Sequence, residues 1–279
     1  MPELPEVETI IRELKKSPIV QAKIADIQVR WPKTIKTHSI DNFKNELIGK
    51  KIIDFIRRAK YLIFEISNDK TLILHLRMTG KLILYKKGKA LDKHDHVIFY
   101  FKHGYQLHYN DTRKFGRFYL TDNPQKILGR LGPEPLNDGF KFKNFSEALS
   151  QRTGKIKPLL LNQKFIAGLG NIYADEALWE AGIHPEQNAD LISPAKQKKL
   201  YEAIKKVLKK GIKNKGTTLG PGLGNFARMN RQRGNNRKFL KVYQKEGKAC
   251  PRCGRKIKKI KVAQRSSHFC SNCQRQRHK

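Results

Sequence analysis

Residues 1–16 read MPELPEVETIIRELKK, and the rest of the chain is organised around them. From Pro5 onward the spacing is helical: Val7, Ile10, Ile11 and Leu14 fall on one face. Pro5 suits the first helical position, and Glu6 and Glu8 suit the positive end of a helix. An apolar face anchors such a helix, so the chain's own N-terminus is held just ahead of it. Met1 precedes a small residue, the setting in which an initiator Met is removed, and the expected mature chain begins with the secondary amine of Pro2. An α-amino group titrates at about 7.7–8.0 when unperturbed. The helix end lowers that value while Glu3 and Glu6 raise it, and the sequence leaves the balance open. A secondary amine that adds to an aldehyde-level carbon gives an iminium with no N–H proton to lose, an electron sink suited to elimination. Glu3 is the adjacent carboxyl, placed to move protons. Taken alone, the same residues also suit an ordinary helix start.

Working outward, residues 19–31 alternate, with AKIADIQVRW as their body, which signals a strand. A short helix is expected from Asp41 to Ile48 with Asp41 as its cap. KIIDFIRRAKYLIFEI, TLILHLRMTGKLILY, HVIFYFKHGYQLHY and RFYLT follow, all β-branched or aromatic with period-two character. Asn68-Asp69 and His103-Gly104 read as hairpin turns. Residues 1–130 therefore read as a β-sandwich with an N-terminal helix. GRLGPEPLNDG, residues 129–139, carries Gly and Pro breakers, and 131–139 reads as a linker. Helical patterns then run over 142–152, 156–163, 171–181 and 194–213, within a domain assigned to 140–240. Residues 214–238, NKGTTLGPGLGNFARMNRQRGNNRK, read as a long mobile loop. The last domain is 241–279. The fold class is α+β, multidomain.

Formal net charge is +35, with 59 Lys and Arg against 24 Asp and Glu, and the excess is uneven. Residues 211–279 hold 20 Lys and Arg and one acid, Glu246, a net +19. Such a balance calls for a polyanionic partner, with nucleic acid the leading candidate. No apolar run approaches the roughly 20 residues of a membrane span. The N-terminus is charged from Glu3 onward, unlike a signal peptide. A cytoplasmic location is expected, so the cysteines need a reason other than disulfides. That reason is their spacing. Cys250-x2-Cys253-x16-Cys270-x2-Cys273 is the pattern of a structural zinc site and uses all four cysteines. KIKKIKVAQRSSHF between the pairs reads as a β-hairpin, with Arg265 at its turn.

MPELPEVET resembles the start of the formamidopyrimidine-DNA glycosylases, bacterial enzymes that excise oxidised purines and cut the strand. The resemblance continues through RRAKYL, HLRMTG, KHDHV, TRKFG, LGPEPL, IKPLLL, AGLGNIYADEALW, GIHP and the four-cysteine element, in family order over nearly the whole chain. The related endonuclease VIII group has Gly where this chain has Leu4. The resemblance implies a helix-two-turn-helix domain between the sandwich and a β-hairpin zinc finger, with one zinc ion. It implies a nucleoid-associated monomer acting on double-stranded DNA that contains an oxidised purine or an abasic site.

Roles follow position by position. Pro2 is the nucleophile and Glu3 the proton carrier. Lys60 matches a lysine placed near the lesion phosphate and treated as a proton donor for β-elimination. Arg265 matches an arginine assigned to δ-elimination, although its guanidinium stays protonated and suits a phosphate clamp better. Met78 and Phe115 match residues that fill the gap left by an extruded nucleotide, and Arg113 one that bonds the orphaned base. Individually, Met and Phe are more often core. His94, Arg152 and Asn171 match DNA contacts; Asn171 follows a glycine turn that would aim N–H groups at a phosphate. His96 is left as structural. Glu6, Glu176, Thr217 and Thr218 are expected at the lesion pocket. The resemblance implies that the loop of about 214–238 is the lesion-recognition loop, which in relatives covers the extruded base; after Gly216-Thr217-Thr218-Leu219 the chain departs from those relatives, and the composition of the loop predicts disorder without DNA.

Overall fold

The computed structural model describes residues 1–276. They form two compact units. One comprises Met1–Arg130 and Asn214–Arg237, the other Leu131–Lys213 and the chain from Lys238 onward. No helix among the described residues is long and apolar enough to cross a membrane.

The first unit is the expected sandwich. Its elements are α1 (Leu4–Lys15), β1 (Ile24–Val29), α2 (Ile40–Leu47), β2 (Ile52–Arg58), β3 (Tyr61–Ile66), β4 (Thr71–His75), β5 (Lys81–Lys86), β6 (Asp95–Phe101), β7 (Tyr105–Asn110), β8 (Arg117–Thr121) and the single turn α3 (Gln125–Leu128). The strands make two antiparallel sheets, ordered β1-β6-β7-β5 and β2-β3-β4-β8. Their inner faces meet through Leu62, Phe64, Leu72, Val97, Phe99 and Leu107, and Phe43 of α2 sets its ring edge-on to Phe99 and Phe118. Val7, Ile10, Ile11 and Leu14 of α1 join this core, each at most 4% exposed. Burying such side chains contributes about 1.5–3 kcal/mol apiece, well above differences in helix propensity, so packing holds α1 in place. Two local expectations change. The α2 cap is Ser39, whose hydroxyl accepts from the Asn42 amide, because the helix starts one residue before Asp41. Lys60 lies in the two-residue turn between β2 and β3 instead of within a strand, with Ala59 in the left-handed region.

The second unit holds α4 (Phe142–Ser150), α5 (Ile156–Leu161), α6 (Asn171–Ala181), α7 (Pro194–Lys213) and the hairpin β9 (Lys258–Val262) with β10 (Arg265–Phe269). The helix α6 is buried almost all round, and α7 lays Leu200, Ala203, Ile204 and Leu208 inward. Trp179 of α6 packs with Val242, Ile257, Cys250 and Cys270, so helices and finger share one body.

Two expected boundaries move. Residues 131–139 are not a linker between domains but part of the second unit. The Gly132 amide donates to the Gln163 carbonyl, the Ala167 amide to the Pro133 carbonyl, and Glu134 and Phe140 are buried. Residues 214–237 belong to the sandwich unit, not to the helical domain, and they are not a free loop. Phe226 and Met229 enter the sandwich core, at 1% and 4% exposure, and the Leu84 amide of β5 donates to the Met229 carbonyl. The polar composition hides these two apolar anchors. The segment's exposed residues are Lys215, the tip Gly220–Gly222, the turn Asn230–Gln232, Asn235 and Arg237.

Candidate active site and nucleic-acid contacts

In the sandwich unit the site begins at the N-terminus of α1. Glu3 is its N-cap: the Glu3 carboxylate accepts from the Glu6 amide, and the Glu6 carboxylate accepts from the Glu3 amide at 2.8 Å. This reciprocal box fixes the backbone that carries Pro2 and Glu3, both buried. The other Glu6 oxygen accepts from the Thr217 amide at 2.7 Å, so Glu6 and Thr217 meet. Gly216 permits that approach: its φ is +78°, and a Cβ there would lie 2.8 Å from the Phe226 ring. The Thr217 and Thr218 hydroxyls are spent inside the loop base. The first accepts from the Asn236 side chain, and the second bridges the Phe226 carbonyl and the Gly234 amide.

Burial dominates the terminal amine, which in this structure is that of Met1. Desolvation pulls it below its ordinary value of 8.0; Glu3 and Glu6 push it up, Lys60 and Arg113 push it down, and the net shift is downward. Pro2, next in the chain, is itself buried, so the same desolvation would act on its amine once Met1 is removed. Lys60 is itself buried, at 4% exposure. Beside it, His75 is pushed down to about 3 by burial and by Arg77 and Lys60, so it is a neutral ring whose Nδ1 accepts from the Arg77 amide. Nothing in the sequence singled out His75.

Met78, Arg113 and Phe115 come together. Arg113 Nη1 lies 3.0 Å from Met78 Sδ, and its guanidinium sits 4.6 Å from the centroid of the Phe115 ring. Met78 and Phe115 are 39% and 43% exposed, an unusual placement for such side chains. His94 is half-buried in the turn before β6, and His96 is buried against the Asp111 carbonyl, as a structural residue should be.

In the second unit the glycine turn leads into α6 as expected, with Gly170 as N-cap and Asn171 first in the helix. Asn171 Nδ2 donates to the Ser266 carbonyl, next to Arg265. Arg265 itself is exposed at the start of β10, behind the left-handed turn Ala263-Gln264. Two residues that sequence reasoning missed secure this turn. Lys157, wholly buried, donates to Asp175 and to the Ser266 carbonyl, and Asp175 also accepts from the Ser267 hydroxyl and the His268 amide. The signal was a lone lysine in the apolar stretch IKPLLL and an aspartate within buried α6. Arg152 is exposed on the rim of a cavity of about 500 Å³ floored by Phe140, Phe145 and Phe165. Glu176 differs from expectation. Its carboxylate is buried and takes the amides of Lys241, Val242 and Tyr243, a clamp on the chain entering the finger; burial nonetheless raises its pKa.

The four cysteines converge, all Sγ atoms lying within 4.8 Å of one another. Thiolates held tetrahedrally at about 2.3 Å from zinc stand about 3.8 Å apart. Here Cys253–Cys270 is 3.4 Å and Cys250–Cys273 is 3.9 Å, so the site fits one structural zinc ion. The Arg255 amide holds the Cys253 thiol near 6, whereas burial and the neighbouring sulfurs push Cys273 to about 12. A divalent cation is what allows all four to be thiolates together. Gln274 braces the second knuckle, accepting from the Cys270 amide and donating to the Ile183 carbonyl.

Comparison with known proteins agrees with this assembly. The formamidopyrimidine-DNA glycosylase N-terminal domain matches residues 1–118, the H2TH domain of the same enzymes residues 131–221, and the zinc finger found in FPG and IleRS residues 247–276. The chain is 46% identical to the formamidopyrimidine-DNA glycosylase of Protochlamydia amoebophila, over 99% of this chain and 100% of that one. It is likewise 46% identical to that of Lactococcus lactis subsp. cremoris, over 98% and 99%. The structure superposes with a TM-score of 0.91 on wild-type Lactococcus lactis Fpg (MutM) in complex with DNA containing N7-benzyl-Fapy-dG, at 44% identity and covering 99% and 100% of the two chains. It superposes with a TM-score of 0.90 on MutM bound to DNA containing carbocyclic 8-oxo-G, at 45% identity and the same coverage. With matching domains, full-length identity and a common fold, this chain belongs to the formamidopyrimidine-DNA glycosylase family.

Proposed function

We propose that this chain is a bifunctional base-excision enzyme. It removes oxidised purines, 8-oxoguanine and formamidopyrimidines, from double-stranded DNA and cuts the strand at the abasic site that results. The Pro2 nitrogen attacks C1′ of the flipped nucleotide, and the glycosidic C1′–N bond breaks as the base leaves with a proton. Glu3 protonates O4′ so that the sugar ring opens, leaving an iminium between Pro2 and C1′. That electron sink acidifies C2′–H; loss of this proton breaks the C3′–O bond, and a second elimination breaks the C5′–O bond. Lys60 and Arg265 face the phosphates flanking the lesion, Lys60 as a proton donor and Arg265 as a clamp. Met78 and Phe115 fill the stack, Arg113 bonds the opposite base, and His94, Arg152 and Asn171 grip the backbone. The protein acts as a monomer in the cytoplasm, on nucleoid DNA. Zinc holds the finger and takes no part in the chemistry.

The observation that carries this reading is the reciprocal Glu3–Glu6 box at the start of α1, which holds Pro2 and Glu3 in buried, fixed positions. The test is borohydride trapping on duplex DNA with 8-oxoguanine opposite cytosine. A covalent protein–DNA adduct is expected from a chain whose mass lacks Met1. One residue added before Pro2 turns the amine into an amide, and trapping by that extended protein would refute the assignment.

A further inference from the structure

The three wedge residues sit on two separate turns, 76–80 and 111–116, yet they touch. One buried carboxylate explains why. Asp111 is 0% exposed, and its two oxygens take five donors. Oδ1 accepts from the Thr79 hydroxyl at 2.5 Å and the Arg113 amide at 3.1 Å. Oδ2 accepts from the Phe115 amide at 2.8 Å, the Gly116 amide at 2.9 Å and the Tyr109 hydroxyl at 2.8 Å. The backbone of Asp111 reaches further. Its amide donates to the His94 carbonyl, and its carbonyl meets the His96 ring. One residue thus joins the turns that carry Met78, His94, Arg113 and Phe115.

The surroundings leave this carboxylate no slack. Tyr109 lies so close that a Cβ on Gly116 would stand 1.7 Å from its hydroxyl, which makes glycine necessary there. Lys114 takes a left-handed φ of +57° and stacks over Trp31, and the Thr34 hydroxyl holds the Gly116 carbonyl. Burial opposes the charge on Asp111, but the donors from Thr79, Gly116, Tyr109 and Arg113 outweigh it and keep the carboxyl below its usual range.

The geometry points to Asp111 as the positioning residue that presets the wedge: it fixes Met78, Arg113 and Phe115 as one rigid body before DNA arrives, so that no ordering is left to occur during nucleotide extrusion. This rests on the wedge reading above and assigns no chemistry to Asp111. A wedge ordered only on contact would subtract its ordering entropy from the free energy of flipping; a preset wedge does not.

The test separates flipping from chemistry. Asp111→Asn puts an amide N–H against the donors that the carboxylate now accepts. Excision of 8-oxoguanine from a duplex should fall about 10- to 100-fold, the range for buried donors left without an acceptor. Cleavage of an abasic site in single-stranded DNA, which has no stack to fill and no opposite base to bond, should stay within about twofold. A 2-aminopurine in the strand opposite the lesion should lose its unstacking signal. Equal loss on both substrates by a folded variant, or loss on neither, overturns the proposal. Thr79→Val removes one of the five bonds and covers the case in which Asp111→Asn does not fold. It should weaken duplex excision and spare single-stranded cleavage, and unchanged duplex excision would overturn the proposal. Met78→Ala and Phe115→Ala run alongside. If they leave the ratio of the two activities unchanged, the wedge reading itself has failed, which is distinct from failure of Asp111 to position it.

Discussion

Glu13, two turns along α1 from Glu6, ties the 214–237 segment to this helix. Its Oε1 pairs with Arg228 Nε, and its Oε2 accepts from the Met229 amide at 2.9 Å. The two side chains are 21% and 15% exposed, so water screens the pair only in part. A hydrogen bond to a charged group is worth about 1.5–3 kcal/mol, and two of them, discounted for that exposure, give about 2–4 kcal/mol. At 1.4 kcal/mol per tenfold, Glu13→Ala should raise opening of this segment roughly 30- to 700-fold. Phe226 and Met229 stay in the core, and Glu6 still holds Thr217, so the segment loosens without detaching. Native-state hydrogen exchange reads this directly. The Arg228 and Arg231 amides, bonded to the Gln232 and Arg228 carbonyls, should lose protection by that factor while β3 and β4 keep theirs. Excision of 8-oxoguanine should slow while abasic-site cleavage persists. Unchanged exchange at Arg228 and Arg231, or loss spread across the sandwich, would refute the reasoning.

Other consequences are independent of that latch. Burial lowers the Met1 amine, and the buried Pro2 amine uncovered when Met1 leaves is expected to follow it, so trapping on abasic DNA should rise with pH and level off below about 8, the reactive form being the unprotonated one; a midpoint above 8 would contradict it. Cys253→Ser should release zinc and weaken DNA binding while the sandwich unit still folds, as checked by metal content and hydrogen exchange of β2–β8. Full affinity without metal would count against a structural zinc. Binding should be steeply salt-dependent: contacts to on the order of six phosphates give a log–log slope near −5 for duplex DNA, and a nearly flat line would deny a phosphate-dominated interface.

Most of the fold was legible because it rests on local periodicity. The α1 stripe, the period-two strands and the cysteine spacing each report the element that carries them. Met78, Arg113 and Phe115, singled out through motifs, do meet. What stayed hidden depends on long-range pairing. Residues 214–237 look polar enough to be disordered, and their docking rests on Phe226, Met229 and bonds to Glu6 and Glu13, more than two hundred residues away. Asp111 reads as an ordinary turn aspartate until Thr79, from a different turn, is seen to share its oxygen. Glu176 lies in a family motif, but only the fold reveals that the amides of 241–243 occupy it.

The two glutamates of α1 connect these observations. Glu6 and Glu13 are seven residues apart, which places them on nearly the same face of the helix and about 10.5 Å apart along its axis. Glu6 receives the Thr217 amide at one end of the segment, and Glu13 receives the Met229 amide and Arg228 near the other. The adjoining apolar stripe of the same helix is sunk in the sandwich core, so α1 cannot shift without disturbing Ile10 and Leu14. Glu6 simultaneously accepts from the Glu3 amide and so fixes the backbone that carries Pro2. The proposed nucleophile and the segment proposed to read the base are therefore referenced to one rigid element. A base misplaced against the segment is misplaced against the amine by the same displacement, which couples recognition to attack through geometry alone. Breaking only the Glu13 end should uncouple them, leaving a chain that still cuts abasic sites but discriminates less among damaged bases.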